Sequence, residues 1–150
     1  MRVVIQRVLE ASVKVEKNIV AKIDQGLVVL VGIEHSDNKE DAIWLANKIA
    51  QLRIFPGPAG SIDKNVQDAD GNIIVISQFT LFASTKKGNR PSFTNSAKPD
   101  KAKPLYEFFT LSLEDKLNKK VQTGIFGADM KVALINDGPV TICIDSKNKE

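Results

Sequence analysis

Two short segments place polar residues where apolar stretches end, and these are the positions at which the sequence could do chemistry. The first is Ser77-Gln78-Phe79-Thr80, at the end of an apolar run. The second is Asn136-Asp137-Gly138-Pro139-Val140-Thr141, in which Gly-Pro lies between two predicted strands. From the pattern alone, the first segment could equally be a strand that leaves a sheet, and the second could be a hairpin turn.

The sequence lacks the residues on which most enzyme mechanisms depend. His35 is the only histidine, and a Ser-His-Asp triad would have to be built on it, although a surface role is commoner just before a helix. There are no paired carboxylates in a motif, no phosphate-binding glycine loop and no metal-ligand spacing. One Cys and one His exclude a structural zinc site, and no metal or cofactor is expected. An enzyme with this sequence would use little side-chain acid–base power.

Length and composition indicate one globular domain over residues 1–150, with 43% hydrophobic and 26% charged residues. Arg2 and Arg7 interrupt the stretch from Met1 to Leu9, which is therefore not expected to be the apolar core of a signal peptide. No apolar run approaches the roughly 20 residues that span a bilayer. These features predict a cytoplasmic protein with no membrane partner. Cys143 lies in an apolar run and is predicted to be a buried core residue.

The hydrophobic pattern predicts an α+β fold, a curved and mainly antiparallel sheet or barrel with two helices packed against it. The predicted strands are Arg2 to Val15 (two strands joined near Glu10 and Ala11), Asn18 to Asp24, Leu27 to Ile33, Asn72 to Phe82, Lys120 to Gly124, Lys131 to Asn136 and Val140 to Asp145. The first helix is capped by Asp37 and ends before Pro56. Its apolar stripe comprises Ile43, Trp44, Ala46, Ile49 and Leu52. The second helix runs from Pro99 to Asn118.

Positive charge is concentrated in an irregular polar stretch, although the net charge is only +3. Its basic residues are Lys86, Lys87, Arg90, Lys98, Lys101 and Lys103, against a single acid, Asp100. Such a stretch can bind phosphates, and a solvated loop is the alternative.

Taken together with the rest of the chain, the two polar segments resemble the D-aminoacyl-tRNA deacylase family. Four further segments are similar to that family and occur in its order: Met1 to Val8, Leu52 to Phe55, Lys87 to Phe93 and Gly124 to Met130. Asn89 departs from the family pattern, because a basic residue is common at that position. This departure affects a phosphate contact and not the proposed chemistry.

The resemblance implies a homodimeric hydrolase that cleaves D-aminoacyl esters, and glycyl esters, from the acceptor end of tRNA. It implies that a cis Gly138–Pro139 peptide projects into the partner's site and excludes L-amino acids with its backbone. Arg7 and Asn136 would support that peptide, Arg7 by holding its carbonyls. Phe126 and Met130 would bind the terminal adenosine. Phosphates of the acceptor stem would meet Lys86, Lys87 and Arg90.

The implied mechanism relies on main-chain groups and not on a nucleophile. Backbone N–H groups of Phe79 and Thr80 would stabilise the carbonyl oxygen, with Ser77 and Gln78 orienting the turn. The terminal ribose hydroxyl would help to activate water. One alternative is Thr80 or Ser77 as a covalent nucleophile, which needs an adjacent base that the sequence does not supply. The other is a non-catalytic RNA-binding module that shares the basic stretch.

Overall fold

A computed structural model describes residues 1–149, which form one main sheet with two helices. The elements are β1 (Arg2–Val15), β2 (Asn18–Ile23), β3 (Gly26–Gly32), α1 (Lys39–Gln51), β4 (Phe55–Pro56), a 3₁₀ turn (Pro58–Gly60), β5 (Ile62–Lys64), β6 (Asn72–Ser77), a second 3₁₀ turn (Phe79–Phe82), α2 (Pro99–Leu117), β7 (Gln122–Thr123) and β8 (Met130–Asp145). Six strands form one sheet in the order β2-β1-β3-β6-β7, with β8 also paired to β1. Neither helix of this part of the chain has an apolar stretch able to cross a bilayer.

The main sheet is curved and mixed, which confirms the predicted fold class. β1 pairs antiparallel with β2, β3 and β8, whereas β3–β6 and β6–β7 are parallel pairs. β3 is buried on both faces, as its continuous apolar run predicts. Because side chains alternate along a strand, Leu27 packs in the core shared with the helices and Val28 packs in a second core inside the curl of the sheet.

Two strand predictions are wrong in the same way, because each divides one long strand into two. β1 runs without a break through Glu10 and Ala11, and β8 runs through Gly138 and Pro139. The irregularities are bulges: Gln6 pairs with Thr141 and Val8 with Asn136. The residues from Asp137 to Val140 therefore stand opposite Arg7 alone. A bulge absorbs extra residues and bends a strand without ending it.

The start of α1 also differs from the prediction. Its N-cap is Asn38, not Asp37, and Asn38 forms a capping box with Asp41. Asp37 is instead fully buried and forms an ion pair with the α-amino group of Met1. Its other carboxylate oxygen accepts the Glu34 N–H at 2.8 Å. Because the Asp37 carboxylate pairs with the α-amino group of Met1, Asn38 caps the helix instead.

Two apolar residues face outward instead of joining the core. Ile43 on α1 is 41% exposed, and the buried face of that helix is formed by Ala42, Leu45, Ala46, Ile49 and Ala50. Cys143 is exposed, because its neighbours Ile142 and Ile144 point towards the core and a strand alternates. The core prediction for Cys143 is therefore wrong for the described chain.

Candidate active site

A cavity of about 560 Å³ opens where the parallel strands β3, β6 and β7 end. Its wall contains two groups of residues that the sequence separates widely. Ser77 ends β6 and is followed by Gln78 and Phe79, whereas Phe126 and Met130 lie after β7. Parallel neighbours end at the same edge of a sheet, so the topology brings the two groups together. The predicted catalytic segment and the predicted adenosine-binding residues therefore share one cavity.

The catalytic segment is a tight turn and not the end of a strand. β6 ends at Ser77, and the N–H of Gln78 donates to the carbonyl oxygen of Val31 at 2.7 Å. The prediction of a strand as far as Phe82 is wrong, because a 3₁₀ turn begins at Phe79. Within residues 1–149, the backbone N–H groups of Phe79 and Thr80 have no hydrogen-bond acceptor. Adjacent free N–H groups at the start of a turn can bind an oxyanion.

No side chain on this wall has the surroundings of an activated nucleophile. The Gln78 amide donates to Thr80 Oγ1, and Thr80 itself is not on the cavity wall. His35 is elsewhere, with Nε2 at 3.0 Å from the Thr94 carbonyl oxygen. Asp129 is the one carboxylate among the described lining residues, and it binds Lys131 Nζ at 2.6 Å.

Phe79 is held by two residues that sequence reasoning missed. Its ring meets the ring of Phe93 edge-on, with centroids 5.1 Å apart. Its carbonyl oxygen accepts a hydrogen bond from Ser96 Oγ at 2.8 Å. Both residues lie in the irregular stretch before α2, and long loops of this kind often carry functional residues. No periodicity exists in such a loop, so the sequence carries no signal for these contacts.

The other side of the cavity is a firm apolar surface. The half-buried ring of Phe126 packs on Tyr106, with centroids 5.7 Å apart. Tyr106 donates its hydroxyl to the Val75 carbonyl oxygen at 2.8 Å, and burial raises the pKa of Tyr106 above its usual value, so it stays neutral. A Cβ on residue 124 would collide with the Met130 sulfur. Gly124 therefore leaves room for the thioether.

The Gly138–Pro139 bulge lies away from the cavity of its own chain. Neither residue lines the cavity, and both are exposed. No peptide bond among residues 1–149 is cis, so the expected cis Gly138–Pro139 bond is wrong here. The trans isomer is intrinsically favoured, and Gly138 allows the bend in the main chain with a φ of +111°.

Arg7 supports this bulge differently from the prediction. Its Nε lies 2.9 Å from an Asp137 carboxylate oxygen, and its Nη1 donates to the Ile54 carbonyl oxygen. None of its hydrogen bonds within the described chain reaches the Gly138 or Pro139 carbonyl. Asn136 is half-buried, and its Oδ1 atom has no hydrogen-bond partner in that part of the chain. Arg7 therefore fixes the base of the bulge through Asp137.

The predicted phosphate-binding residues are available to a ligand. Lys86, Lys87 and Arg90 are exposed in the loop that connects the 3₁₀ turn to α2. They form no ion pair with any residue among 1–149. The same loop continues to Phe93 and Ser96 on the cavity wall. A polyanion on the loop would thus lie beside the cavity.

Comparisons with known proteins show the family of the chain. A family model described as D-Tyr-tRNA(Tyr) deacylase matches residues 4–145. Proteins named D-aminoacyl-tRNA deacylase from Flavobacterium psychrophilum and Bacteroides fragilis are 63% and 58% identical, and the alignments cover 100% of each chain. A solved structure titled "c-Myc DNA Unwinding Element Binding Protein" is 36% identical, with a TM-score of 0.90 over 97% of this chain and 98% of that one. A probable eukaryotic D-amino acid tRNA deacylase shares the fold, with a TM-score of 0.80 at 16% identity over 95% and 97% of the two chains. The match of the family model over almost the whole chain, together with these identities, means that the chain belongs to the D-Tyr-tRNA(Tyr) deacylase family.

Proposed function

We propose that this chain is a hydrolase that cleaves the ester bond between a D-amino acid, or glycine, and the terminal ribose of tRNA. The observation that carries the proposal is the cavity that Ser77, Gln78 and Phe79 share with Phe126 and Met130. The turn that begins there has two N–H groups, those of Phe79 and Thr80, without an acceptor in residues 1–149. The N–H groups could bind a developing oxyanion, and the side chains of Phe126 and Met130 could pack against the flat face of a base. Relatives at 56% identity or more carry the name D-aminoacyl-tRNA deacylase. Substrate tRNA would be met in the cytoplasm.

The proposed mechanism uses water and not a covalent intermediate. An aminoacyl ester is already activated, so orientation and an oxyanion hole can supply much of the rate acceleration. The N–H groups of Phe79 and Thr80 would bind the carbonyl oxygen. The neighbouring ribose hydroxyl of the substrate would orient or activate the water. The hydrogen bond from the Gln78 amide to Thr80 supports a structural role for Thr80, because an amide is not a base.

Chirality would be selected by the main chain of a second subunit. The Gly138–Pro139 bulge is exposed, is anchored by Arg7 and lies outside its own cavity. In a homodimer this bulge would enter the partner's cavity and accept the substrate ammonium group with its carbonyls. An L side chain would then meet the backbone, whereas a D side chain would point away. Glycine has no Cβ, so glycyl-tRNA would also be accepted.

A turnover experiment tests this function against a binding module. Purified protein is added to a large excess of D-Tyr-tRNA, and free D-tyrosine is measured over time. We expect many molecules of D-tyrosine per molecule of protein. Binding to the tRNA with no release beyond the spontaneous rate would favour the RNA-binding module and contradict the proposal.

A second experiment tests the covalent alternative with a serine-reactive phosphonate probe, and no label on Ser77 or Thr80 is expected.

A further inference from the structure

One side chain outside the catalytic segment fixes the direction of a proposed oxyanion donor. Ser96 Oγ donates to the Phe79 carbonyl oxygen at 2.8 Å. A trans peptide is planar, so its C=O and the N–H of the next residue point in opposite directions. The group that fixes the Phe79 carbonyl therefore also fixes the Thr80 N–H. That N–H is one of the two without an acceptor in the described chain.

Ser96 is itself firmly placed relative to the sheet. Its backbone forms an isolated antiparallel bridge with Glu34, just beyond the end of β3. The N–H of Ala97 donates to the Ile33 carbonyl oxygen at 2.9 Å, and the N–H of Ser96 donates to that of Phe93 at 3.0 Å. Ser96 thus links the turn after β6 to the end of β3. A rigid attachment of this kind can preserve the geometry of a site.

The turn is short, so a hydrogen bond from outside it adds to the restraint that its own 3₁₀ hydrogen bonds place on this peptide. The 3₁₀ turn comprises only Phe79–Phe82, and the Phe79 side chain is 57% exposed. Packing on Phe93 restrains the ring but does not set the direction of the carbonyl. We propose that Ser96 is a positioning residue that keeps the Phe79–Thr80 peptide oriented for oxyanion binding. This inference rests on the proposed function.

The test replaces Ser96 with alanine and separates kcat from KM for D-Tyr-tRNA. We expect kcat to fall about tenfold, less than the roughly 100-fold or greater loss when an oxyanion donor is removed outright. KM should stay within twofold, because the hydrogen of the hydroxyl is used by the Phe79 carbonyl oxygen. Ser112→Ala is the matched control, since Ser112 Oγ also donates to a backbone carbonyl at 2.8 Å, on α2. Its kcat should equal that of the wild type.

A second pair of variants keeps the test decisive if the alanine variant is unstable. Ser96→Thr and Ser96→Val have nearly the same shape and differ in the hydroxyl, so we expect at least a fivefold higher kcat for the threonine variant. With an active wild type, equal kcat values for this pair, an unchanged kcat in Ser96→Ala or a rise in KM alone would overturn the positioning role only. A wild-type chain that releases no D-tyrosine would overturn the proposed function and this inference together.

Discussion

At the scale of single residues, the site offers main-chain donors in place of reactive side chains. The hydroxyl of Thr80 receives a hydrogen bond from the Gln78 amide. An amide is not a base, so the Gln78 side chain cannot remove a proton from this hydroxyl, whichever way its oxygen and nitrogen are placed. The one histidine, His35, has its Nε2 atom 3.0 Å from the Thr94 carbonyl oxygen. The side chains of the turn therefore serve to shape it, and this gives a direct prediction for Thr80.

We expect Thr80→Ala to lose less than about 100-fold in kcat, since the change removes a shaping contact and leaves the backbone donors. Single-turnover release of D-tyrosine measures the chemical step, and acid-quenched protein is examined by mass spectrometry. Removal of a true nucleophile costs on the order of 10⁶-fold in kcat. A loss of that size with intact binding, or a tyrosyl adduct on wild-type Thr80, would establish covalent catalysis instead.

The residues of the site were predictable only where they belong to recognisable segments. Ser77, Gln78 and Phe79 were predicted with Phe126 and Met130, and all five line one cavity. Ser96 was not predicted, because its contact with Phe79 joins positions 17 residues apart through an irregular loop. Loop conformations depend on such distant contacts and not on local periodicity.

At the scale of elements, the apolar pattern predicted the type of element better than its ends. β3 follows from its apolar run, and both helices are present. The division of β1 and β8 into shorter strands failed because a bulge and a turn have the same composition. Asn38 caps α1 because buried Asp37 is bound by the α-amino group. That ion pair is a long-range contact that no local pattern reveals.

The start of α1 and the end of the chain are joined by an ion pair that should depend on pH. Burial alone would raise the pKa of Asp41, but hydrogen bonds from Lys147, from Ser146 and from the Asn38 backbone lower it from 3.8 to about 2. A carboxyl group whose pKa is lower in the folded state stabilises the fold at pH values above its ordinary pKa of 3.8. This contribution is lost as the pH falls towards 2. The Lys147 side chain is 38% exposed, so screening limits the pair to about 1 kcal/mol.

We expect Lys147→Met to lower the free energy of unfolding by about 1 kcal/mol at pH 7, and by much less at pH 2. Urea denaturation at both pH values measures the difference. Lys17→Met is the control, because Lys17 is exposed and forms no ion pair with the described residues. An equal loss at both pH values would mean that the Lys147 stem contributes through packing and not through charge.

The basic loop gives a separate prediction about affinity for tRNA. Replacement of Lys86, Lys87 and Arg90 by glutamine should raise KM and leave kcat within about threefold. The slope of log KM against the logarithm of the salt concentration should fall by roughly 2, because each lost phosphate contact removes about 0.7–0.9 from that slope. The control replaces Lys17, Lys22 and Lys64, which are exposed and do not line the cavity. The same change of slope in both triple variants would show that the loop has no specific role in binding tRNA phosphates.

At the scale of the whole molecule, the proposed homodimer needs an interface, and the surface around β8 has the features of one. β8 pairs only with β1 within residues 1–149, so its other edge is free. Ile135 and Leu9 on this surface are 50% and 52% exposed. Long edge strands with exposed apolar residues tend to pair with another chain. A homodimer would cover them and bring Gly138–Pro139 to the partner's cavity.

Sedimentation equilibrium should give twice the chain mass of 16.5 kDa. Ile135→Asp should shift the protein towards the monomer and lower deacylation, because each cavity then loses the partner's bulge. The control Ile19→Asp changes a residue that is 62% exposed on β2, and it should remain dimeric and active. A fully active monomer would contradict the shared site.

We propose that backbone atoms, and not reactive side chains, decide which aminoacyl ester is cleaved. The most direct measurement compares kcat/KM for D-Tyr-, L-Tyr- and glycyl-tRNA under the same conditions. We expect cleavage of the D-tyrosyl and glycyl esters and at least 100-fold slower cleavage of the L-tyrosyl ester. Equal cleavage of both tyrosyl esters, or cleavage of D-Tyr-tRNA with no activity on glycyl-tRNA, would contradict it.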